Sequence, residues 1–273
     1  MVKNTVTNLR NGVSLVIPFY NAGQYAFDLA KSISAQTRKP NQIIIVDDGN
    51  GRGIEELKNA FKKNDLIFEI YTSKGKIGPG ASRNLGFLHV KYRYVCFLDS
   101  DDKFEKQAIS SQLNSIKLNK CFAVCLSCYY FNDSGILNYN VLPKKISYID
   151  LLHTNPLCPS VILFDVSKIE NIRFDNKGHE DYRLWLKISK KYGDFICSKN
   201  IFVGIRRSLG SVSSNKFRAA SWHWKALSDV NKLPFTFRCI FFVMYIINAL
   251  CKRICKTYKP LYLSAGYLKK LDL

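Results

Sequence analysis

The 273-residue chain is 47% hydrophobic, which is enough for one large core or two small ones. Its 41 lysines and arginines outnumber its 21 acidic residues, and the net charge of +20 predicts a polyanionic partner such as nucleic acid, an anionic membrane or a phosphorylated substrate. No pair of CxxC motifs and no matching histidine cluster completes a zinc site, so the nine cysteines are expected to be buried free thiols, as in a reducing compartment.

Strand-like apolar runs alternate with helical patterns after a polar N-terminus that predicts no signal peptide. We predict strands at residues 13–17, 42–46, 67–72, 92–98 and 121–130, and helices at residues 25–36, 54–63 and 81–90. The first strand is expected to end at Pro18. The alternation predicts a mainly parallel sheet with helices on both faces, whose ligands bind beyond the carboxyl ends of the strands.

Two of the predicted strands run directly into carboxylates. Asp47 and Asp48 follow the second strand, and Asp99, Asp101 and Asp102 follow the fourth. Both clusters are expected at the same edge of the sheet, where they can converge on one crevice. In an extended chain, residues two apart point to the same side, so Asp99 and Asp101 would face one Mg²⁺ or Mn²⁺ ion that also binds phosphate. The alternative is an acidic turn that only ends a strand.

Two other classes of nucleotide- or phosphate-binding enzyme fit this pattern less well. The glycines of residues 47–53 follow a G-x-G-x-G spacing, and acids precede them, which differs from the G-x-G-x-x-G of a dinucleotide-binding oxidoreductase. Metal-dependent phosphohydrolases carry their nucleophilic aspartate on the first strand, where this chain has Pro18.

Six segments in a fixed order carry a stronger signal. They are residues 16–21 (VIPFYN), 45–49 (IVDDG), 80–86 (GASRNLG), 97–102 (FLDSDD), 179–186 (HEDYRLWL) and 206–213 (RRSLGSVS). Together they resemble family 2 inverting glycosyltransferases of the GT-A fold, of the type that makes bacterial surface polysaccharides. The resemblance implies a GT-A domain over residues 1–213, with a donor half at about 13–104 and an acceptor half at about 105–213. Its Rossmann-like sheet would be flanked by helices, with a helical extension over 214–273.

The resemblance also implies a nucleotide-sugar site, with UDP as the expected nucleotide. The residues implied to bind the nucleotide sugar are Pro18, Phe19, Asn21, Asp47, Asp48, Gly80, Arg83, Asp99, Ser100 and Asp101. Asp99 and Asp101 would also hold Mn²⁺ or Mg²⁺ at the diphosphate. Arg83 would reach the base or the phosphates, the alternative being an exposed helix arginine. Ser208 departs from the family, because many relatives place a histidine there to help hold the metal or the diphosphate.

The segment at residues 179–186 is implied to serve the acceptor. Asp181 would remove the proton of the acceptor hydroxyl as that oxygen attacks the anomeric carbon opposite the diphosphate, in a single inverting displacement. Glu180 would position the acceptor. The alternative is an acidic first turn that is only favoured by the helix dipole.

The composition changes after residue 213. Residues 215–273 hold eleven Lys or Arg and two Asp, interleaved with aromatic residues, for a net charge of +9. Residues 239–251 are thirteen residues without a charge, shorter than the roughly 20 that a spanning helix needs. This segment is expected to be a helix that either lies on anionic lipid or packs on the catalytic domain.

The resemblance implies a metal-dependent hexosyl- or N-acetylhexosaminyltransferase of O-antigen or capsule synthesis. We expect a saccharide acceptor linked through a diphosphate to lipid, and a cytoplasmic location on the inner face of the cell membrane. A non-catalytic GT-A binding module is the first alternative, and the intact aspartates argue against it. A basic nucleic-acid-binding protein is the second, but no recognised motif supports it, so no nucleic acid partner is expected.

Overall fold

The computed structural model describes residues 9–49, 51–207, 216–229 and 233–262, without the side chains of residues 199, 200 and 216. The strands are β1 (Arg10–Phe19), β2 (Gln42–Asp47), β3 (Glu69–Thr72), β4 (Tyr92–Phe97), β5 (Lys103–Phe104), β6 (Ala123–Asn132), β7 (Gly135–Asn140), β8 (Lys145–Ile146), β9 (Ile162–Asp165), β10 (Phe195–Arg206) and β11 (Thr257–Tyr258). The α-helices are α1 (Ala26–Ser34), α2 (Ile54–Lys63), α3 (Pro79–Phe87), α4 (Ala108–Leu118), α5 (Tyr148–His153), α6 (Glu180–Tyr192), α7 (Lys216–Asp229) and α8 (Phe235–Ile254).

One mixed sheet joins the two halves of the chain. Its main order is β11-β7-β6-β9-β4-β1-β2-β3, and β10 lies beside β6. The strands β4, β1, β2 and β3 are parallel, as predicted, because helices α1 to α3 return the chain between them. Strand β9 is antiparallel to both β4 and β6, and it therefore connects the parallel first half to the second half.

The sheet brings the predicted acids to one edge. Phe19 of β1 lies beside Asp47 of β2, and Val16 of β1 lies beside Phe97 of β4, so these three strands end close together. The buried apolar residues of the strands pack against helices on both faces and hold this edge in place.

Strand β1 continues through Pro18 to Phe19, so the prediction that it ends at Pro18 is wrong. Proline removes only the hydrogen bond that its own amide would donate. Val16 accepts a bond from the amide of Leu98 on the β4 side, and Phe19 accepts one from the amide of Asp48 on the β2 side. Residues 16 and 18 face the same neighbour in a strand, and β4 pairs with β1 only as far as Phe97, so the missing donor lies at the end of the β1–β4 ladder and not inside it.

Helix α8 is longer than the thirteen-residue uncharged run. It spans 20 residues and is long and apolar enough, by length and composition alone, to cross a membrane. The charge of Arg238 does not end it, because that guanidinium lies over the rings of Trp224 and Phe235, at 5.3 and 5.6 Å from their centroids. Only Phe241 and Asn248 of α8 are buried.

All nine cysteines are free thiols, as predicted, but only four of them are buried, so the expected burial is wrong for the other five.

Candidate functional site

The acids after β4 lie in a turn. The amide of Asp102 donates to the carbonyl of Asp99 at 3.0 Å, so the extended geometry predicted for Asp99 and Asp101 is wrong. Strand pairing on this side stops after Leu98, because the next position of β1 is Pro18, which has no amide hydrogen to donate. The turn still keeps the carboxylates of Asp99 and Asp101 close enough for electrostatic repulsion between them.

Asp101 and Asp102 have different surroundings. The buried Asp102 accepts hydrogen bonds from the Ser160 hydroxyl at 2.7 Å and from the Arg206 amide at 2.9 Å, so it ties the turn to the rest of the sheet. Burial, and then the neighbouring Asp99, raise the pKa of Asp101 to about 6. The turn therefore carries negative charge that the protein only partly compensates, which favours a bound cation.

Arg83 lies between Asp99 of the acid turn and Glu180 at the start of α6. One of its Nη atoms donates to Asp99 at 2.5 Å, and the other donates to Glu180 at 3.4 Å. Its side chain is only 4% exposed, so the alternative of an exposed helix arginine is wrong. A role at the base or the phosphates stays a prediction, since in this structure both Nη atoms bind carboxylates.

Gly80 allows this network to form. A Cβ at this position would lie 2.7 Å from Cγ of Glu180, so only glycine lets the start of α3 approach the start of α6 so closely. The sequence pattern assigned Gly80 to the nucleotide sugar. The structure places Gly80 against Glu180, three residues before Arg83, and its contact with the nucleotide sugar stays a prediction.

At the end of β2, where we predict that the nucleoside binds, Asp47 and Asp48 differ in how many of their oxygen atoms already accept hydrogen bonds. Asp48 accepts hydrogen bonds from the amides of Ile77 and Gly78, at 2.6 and 2.9 Å, and so holds the loop before α3. Asp47 accepts one from the amide of Gly51 at 3.1 Å, while its Oδ1 atom is buried with no hydrogen-bond partner among the described residues. Asp47 therefore keeps an acceptor atom for a ligand.

The other residues predicted at this end vary in exposure. Pro18 and Phe19 are buried inside β1, so the Phe19 ring belongs to the core and is not open to a base in this structure. Asn21 is exposed, with a backbone φ of 51° that turns the chain away from the sheet. Ser100 is partly exposed, within the acid turn.

Glu180 and Asp181, which we predict serve the acceptor, are the first two residues of helix α6. The carboxylate of Asp181 accepts hydrogen bonds from the Tyr182 amide at 2.7 Å and from the Asn155 side chain at 3.5 Å. Burial raises the pKa of Asp181, and burial together with Asp181 raises that of Glu180, although Arg83 opposes both shifts. A carboxylate with a raised pKa is the better proton acceptor, which suits a general base.

Helix α7 packs against the start of α6, residues 178–182, which we call the acceptor turn. The sequence pattern did not indicate this contact. The Trp222 ring packs edge-on against His179, with centroids 5.6 Å apart, and the buried His223 stacks between Tyr182 and Tyr245, at 4.8 and 3.9 Å. His223 thus connects α8 to the helix that carries Asp181. The aromatic run Trp222-His223-Trp224 within a basic segment was the available signal.

We expect Gly178→Ala to disturb this contact. A Cβ at residue 178 would lie 2.1 to 2.4 Å from atoms of the Trp222 indole, so α7 would have to move. The substitution should lower the free energy of unfolding by about 1–3 kcal/mol, as overpacking does. Denaturant titration of this variant, of Trp222→Ala and of the double variant measures the coupling. The double variant should lose less than the sum of the single losses, and strict additivity would contradict the packing.

Arg206, the first residue of the predicted segment 206–213 (the closing loop), binds the acid turn. Arg206 donates from its amide to Asp102, from Nε to the Asp101 carbonyl at 3.3 Å, and from Nη1 to Asp133 at 2.6 Å. Ser208 and the rest of this predicted loop lie outside the described residues.

The acid turn fits a divalent cation that arrives with phosphate. Among the described residues, no group of three or more His, Cys, Asp or Glu side chains is arranged to hold a metal alone. Magnesium, however, is commonly bound by one or two carboxylates together with substrate phosphates. Asp99 and Asp101 supply such a pair, and the incompletely compensated charge at Asp101 is consistent with it.

Solved structures of known proteins share this architecture. S. aureus TarS 1–349 in complex with UDP-GlcNAc superimposes with a TM-score of 0.64 at 16% identity, covering 86% of this chain and 71% of that one. The mannosyltransferase PcManGT from Pyrobaculum calidifontis, in complex with GDP-Man and Mn²⁺, gives 0.64 at 14% identity, covering 88% and 70%. The predicted GT-A fold with a helical C-terminal region is thereby confirmed.

Sequence comparison identifies the family. The family model described as "Glycosyl transferase family 2" matches residues 14–205. The chain is 32% identical over 249 residues to the UDP-Glc:alpha-D-GlcNAc-diphosphoundecaprenol beta-1,3-glucosyltransferase WfaP of Escherichia coli, covering 90% of this chain and 97% of WfaP. With most of its length matched by the family model and a relative aligned almost end to end, this chain belongs to glycosyl transferase family 2.

Proposed function

We propose that the chain transfers a sugar, with inversion, from a UDP-sugar to a hydroxyl of a saccharide that is linked through a diphosphate to lipid. The observation that carries this proposal is the buried Arg83, which joins Asp99 of the donor side to Glu180 of the acceptor side. We therefore propose that donor and acceptor bind next to each other in one cleft. Two similar proteins support these substrate classes: WfaP is a glucosyltransferase for a GlcNAc-diphospholipid, and TarS has been solved with UDP-GlcNAc. A place in surface-polysaccharide synthesis follows from the same acceptor class.

The donor binds along the strand ends. The free Oδ1 atom of Asp47 accepts a hydrogen bond from the nucleoside, either from the uracil N–H or from a ribose hydroxyl. Asp99 and Asp101 would hold Mn²⁺ or Mg²⁺ beside the diphosphate, and this cation would neutralise the charge of the leaving group. Arg83 keeps Asp99 in place for this contact.

The acceptor hydroxyl lies against Asp181. The Tyr182 amide and the Asn155 side chain orient the carboxylate, which takes the hydroxyl proton as the acceptor oxygen bonds to the anomeric carbon. The bond from that carbon to the diphosphate breaks on the opposite face, so UDP leaves and the configuration inverts. Glu180, held by Arg83, positions the acceptor.

A UDP-release screen tests this function. The full-length protein is given each of several nucleotide sugars, with and without a synthetic GlcNAc-diphospholipid, in Mn²⁺ and in Mg²⁺. We expect release of UDP from at least one UDP-sugar that depends on the acceptor. Donor binding without release under any condition would instead support a binding module, and a salt-sensitive mobility shift with random DNA would support the nucleic-acid alternative.

We propose that the protein is attached to the cytoplasmic surface of the membrane, and that helix α8 lies on this surface. Its large exposed side chains fall on one face at helical spacing: Phe235, Val243, Ile246, Ile247, Leu250 and Ile254. The chain is also strongly basic, which favours anionic lipid.

Vesicle sedimentation measures this attachment. Binding of the full-length protein should increase with anionic lipid and decrease with salt, because the attraction is screened over about 8–10 Å at ordinary ionic strength. Val243→Glu with Ile247→Glu should abolish binding, whereas the control Ile67→Glu, at a 92% exposed apolar residue far along the chain from α8, should leave it unchanged. Absence of binding to both anionic and neutral vesicles would reject the location. Point variants are preferable to truncation after residue 214, because α7 supports the acceptor turn.

A further inference from the structure

Two cations lie over one tyrosine ring near the acceptor side of the cleft. The guanidinium of Arg207 is 4.1 Å from the ring centroid of Tyr130, and the ammonium of Lys252 is 4.8 Å from the same centroid. Neither cation forms an ion pair with a carboxylate among the described residues. Burial, and then Arg207, lower the pKa of Lys252 to about 8, as expected for a cation without a counterion. Within the part of the chain that the structure describes, these two cations therefore lack an anion.

The cation pair adjoins both parts of the candidate site. Arg207 directly follows Arg206, whose amide binds Asp102 of the acid turn. On the other side, Lys252 lies near the thiol of Cys158, at the end of the loop 155–158 whose first residue donates to Asp181. An anion held by the two cations would therefore sit at the edge of the cleft that contains the general base.

Helix α8 places Lys252 between this cleft and the surface that we assign to the membrane. Lys252 follows Leu250 and precedes Ile254 by two residues, which rotates it by about 200° from either one on a helix. It therefore lies on the face opposite the exposed apolar stripe. The favourable interaction of a cation with a helix C-terminus does not explain the partly buried position of Lys252, because the exposed Arg253 of the same turn already supplies such an interaction.

We propose that Lys252 and Arg207 bind the diphosphate of the lipid-linked acceptor, with its sugar directed to Asp181 and its lipid directed to the apolar face of α8. This inference rests on the proposed function. Ammonium and guanidinium groups form strong charge-assisted hydrogen bonds with phosphate oxygens. The donor diphosphate belongs to the acid turn, so the two diphosphates occupy different ends of one cleft.

Direct binding tests this subsite without requiring transfer. Farnesyl diphosphate, which carries no sugar, and UDP with Mg²⁺ are titrated separately into the full-length protein by calorimetry. Lys252→Met, which keeps the apolar stem and removes the charge, should weaken farnesyl diphosphate binding about tenfold or more and leave UDP binding unchanged. The control Lys256→Met, at an exposed lysine four residues further on, should change neither. Unfolding curves establish that both variants fold.

Two outcomes would overturn the assignment. Weaker UDP binding by Lys252→Met would give the cations to the donor, and unchanged farnesyl diphosphate binding would remove them from both substrates. In turnover, Lys252→Met should raise the KM for the diphospholipid acceptor but not for an alkyl glycoside of the same sugar. A wild-type protein that binds farnesyl diphosphate through Lys252 but transfers no sugar would reject the proposed function and retain the phosphate subsite.

The pH dependence of binding provides a second readout. Lys252 faces Arg207, Tyr130, Cys128 and Cys158. Burial raises the pKa of that tyrosine and of both thiols, so Lys252 is the member that changes charge near pH 8. Wild-type affinity for farnesyl diphosphate should fall as pH rises through about 8, whereas Lys252→Arg should retain its affinity. Parallel pH profiles for the two proteins would contradict the assignment.

Discussion

Asp181→Asn is expected to lower turnover by about 10²–10⁴-fold, the usual contribution of a general base. The amide keeps the shape of the side chain but cannot take the proton of the acceptor hydroxyl. UDP-sugar affinity should stay close to that of the wild type, because Asp181 acts only on the acceptor. Steady-state UDP release with saturating acceptor measures the first effect, and calorimetric titration with UDP and Mg²⁺ measures the second.

The pH dependence of wild-type turnover is a second test of the role of Asp181. Burial raises the pKa of Asp181, so the carboxylate is protonated, and the rate falls, at a higher pH than for an exposed aspartate. Asp194→Asn, at a surface partner of Lys145, is the matched control and should retain full activity. If the Asp181 variant lost donor affinity in proportion to turnover, Asp181 would belong to the donor site.

Asp101→Asn is expected to abolish turnover and to weaken the binding of UDP with its metal ion. The substitution removes one of the two carboxylates that we assign to the cation. Chelator should also abolish wild-type activity, and Mn²⁺ or Mg²⁺ should restore it. Full activity in excess chelator would contradict the metal assignment.

The unfolding midpoint of Asp101→Asn shows whether its loss of activity comes from the missing carboxylate or from a less stable protein. The pKa of Asp101 is raised from 3.8 to about 6 in the folded chain, so the native state holds its proton more tightly than the unfolded state does. The stabilising contribution of Asp101 is therefore present at low pH and is lost as the pH rises from about 4 to about 6. At pH 7 without metal, Asp101→Asn should unfold at the same or a higher denaturant concentration than the wild type. A clearly lower midpoint would indicate a structural role.

The local pattern was sufficient to predict the parallel half of the sheet and the grouping of its acids. Buried apolar runs define β1, β2 and β4, and parallel strands end at a common edge, so Asp47 and Asp99 had to lie near each other. The turn at residues 99–102 could not be read from the same pattern. It depends on Pro18, in a neighbouring strand, which offers no amide where pairing would continue.

Contacts between distant segments account for the remaining differences. Arg83 binds Glu180 across 97 positions of the chain, and Trp222 packs on His179 across 43, and neither contact leaves a periodic trace in the sequence. Helix α8 is longer than the predicted uncharged run because of another contact between segments. Arg238 donates to Ser228 of α7, and this bond holds the charged residue within the helix.

The anomeric configuration of the product tests the single displacement at Asp181 most directly. The full-length protein, supplied with an α-linked UDP-sugar that passes the release screen and with a synthetic GlcNAc-diphospholipid, should form a new β-glycosidic bond. Proton NMR of the purified product identifies the linkage from the coupling of the anomeric hydrogen. An α-linked product would contradict inversion, and release of UDP with only free sugar as the second product would contradict transfer to the acceptor.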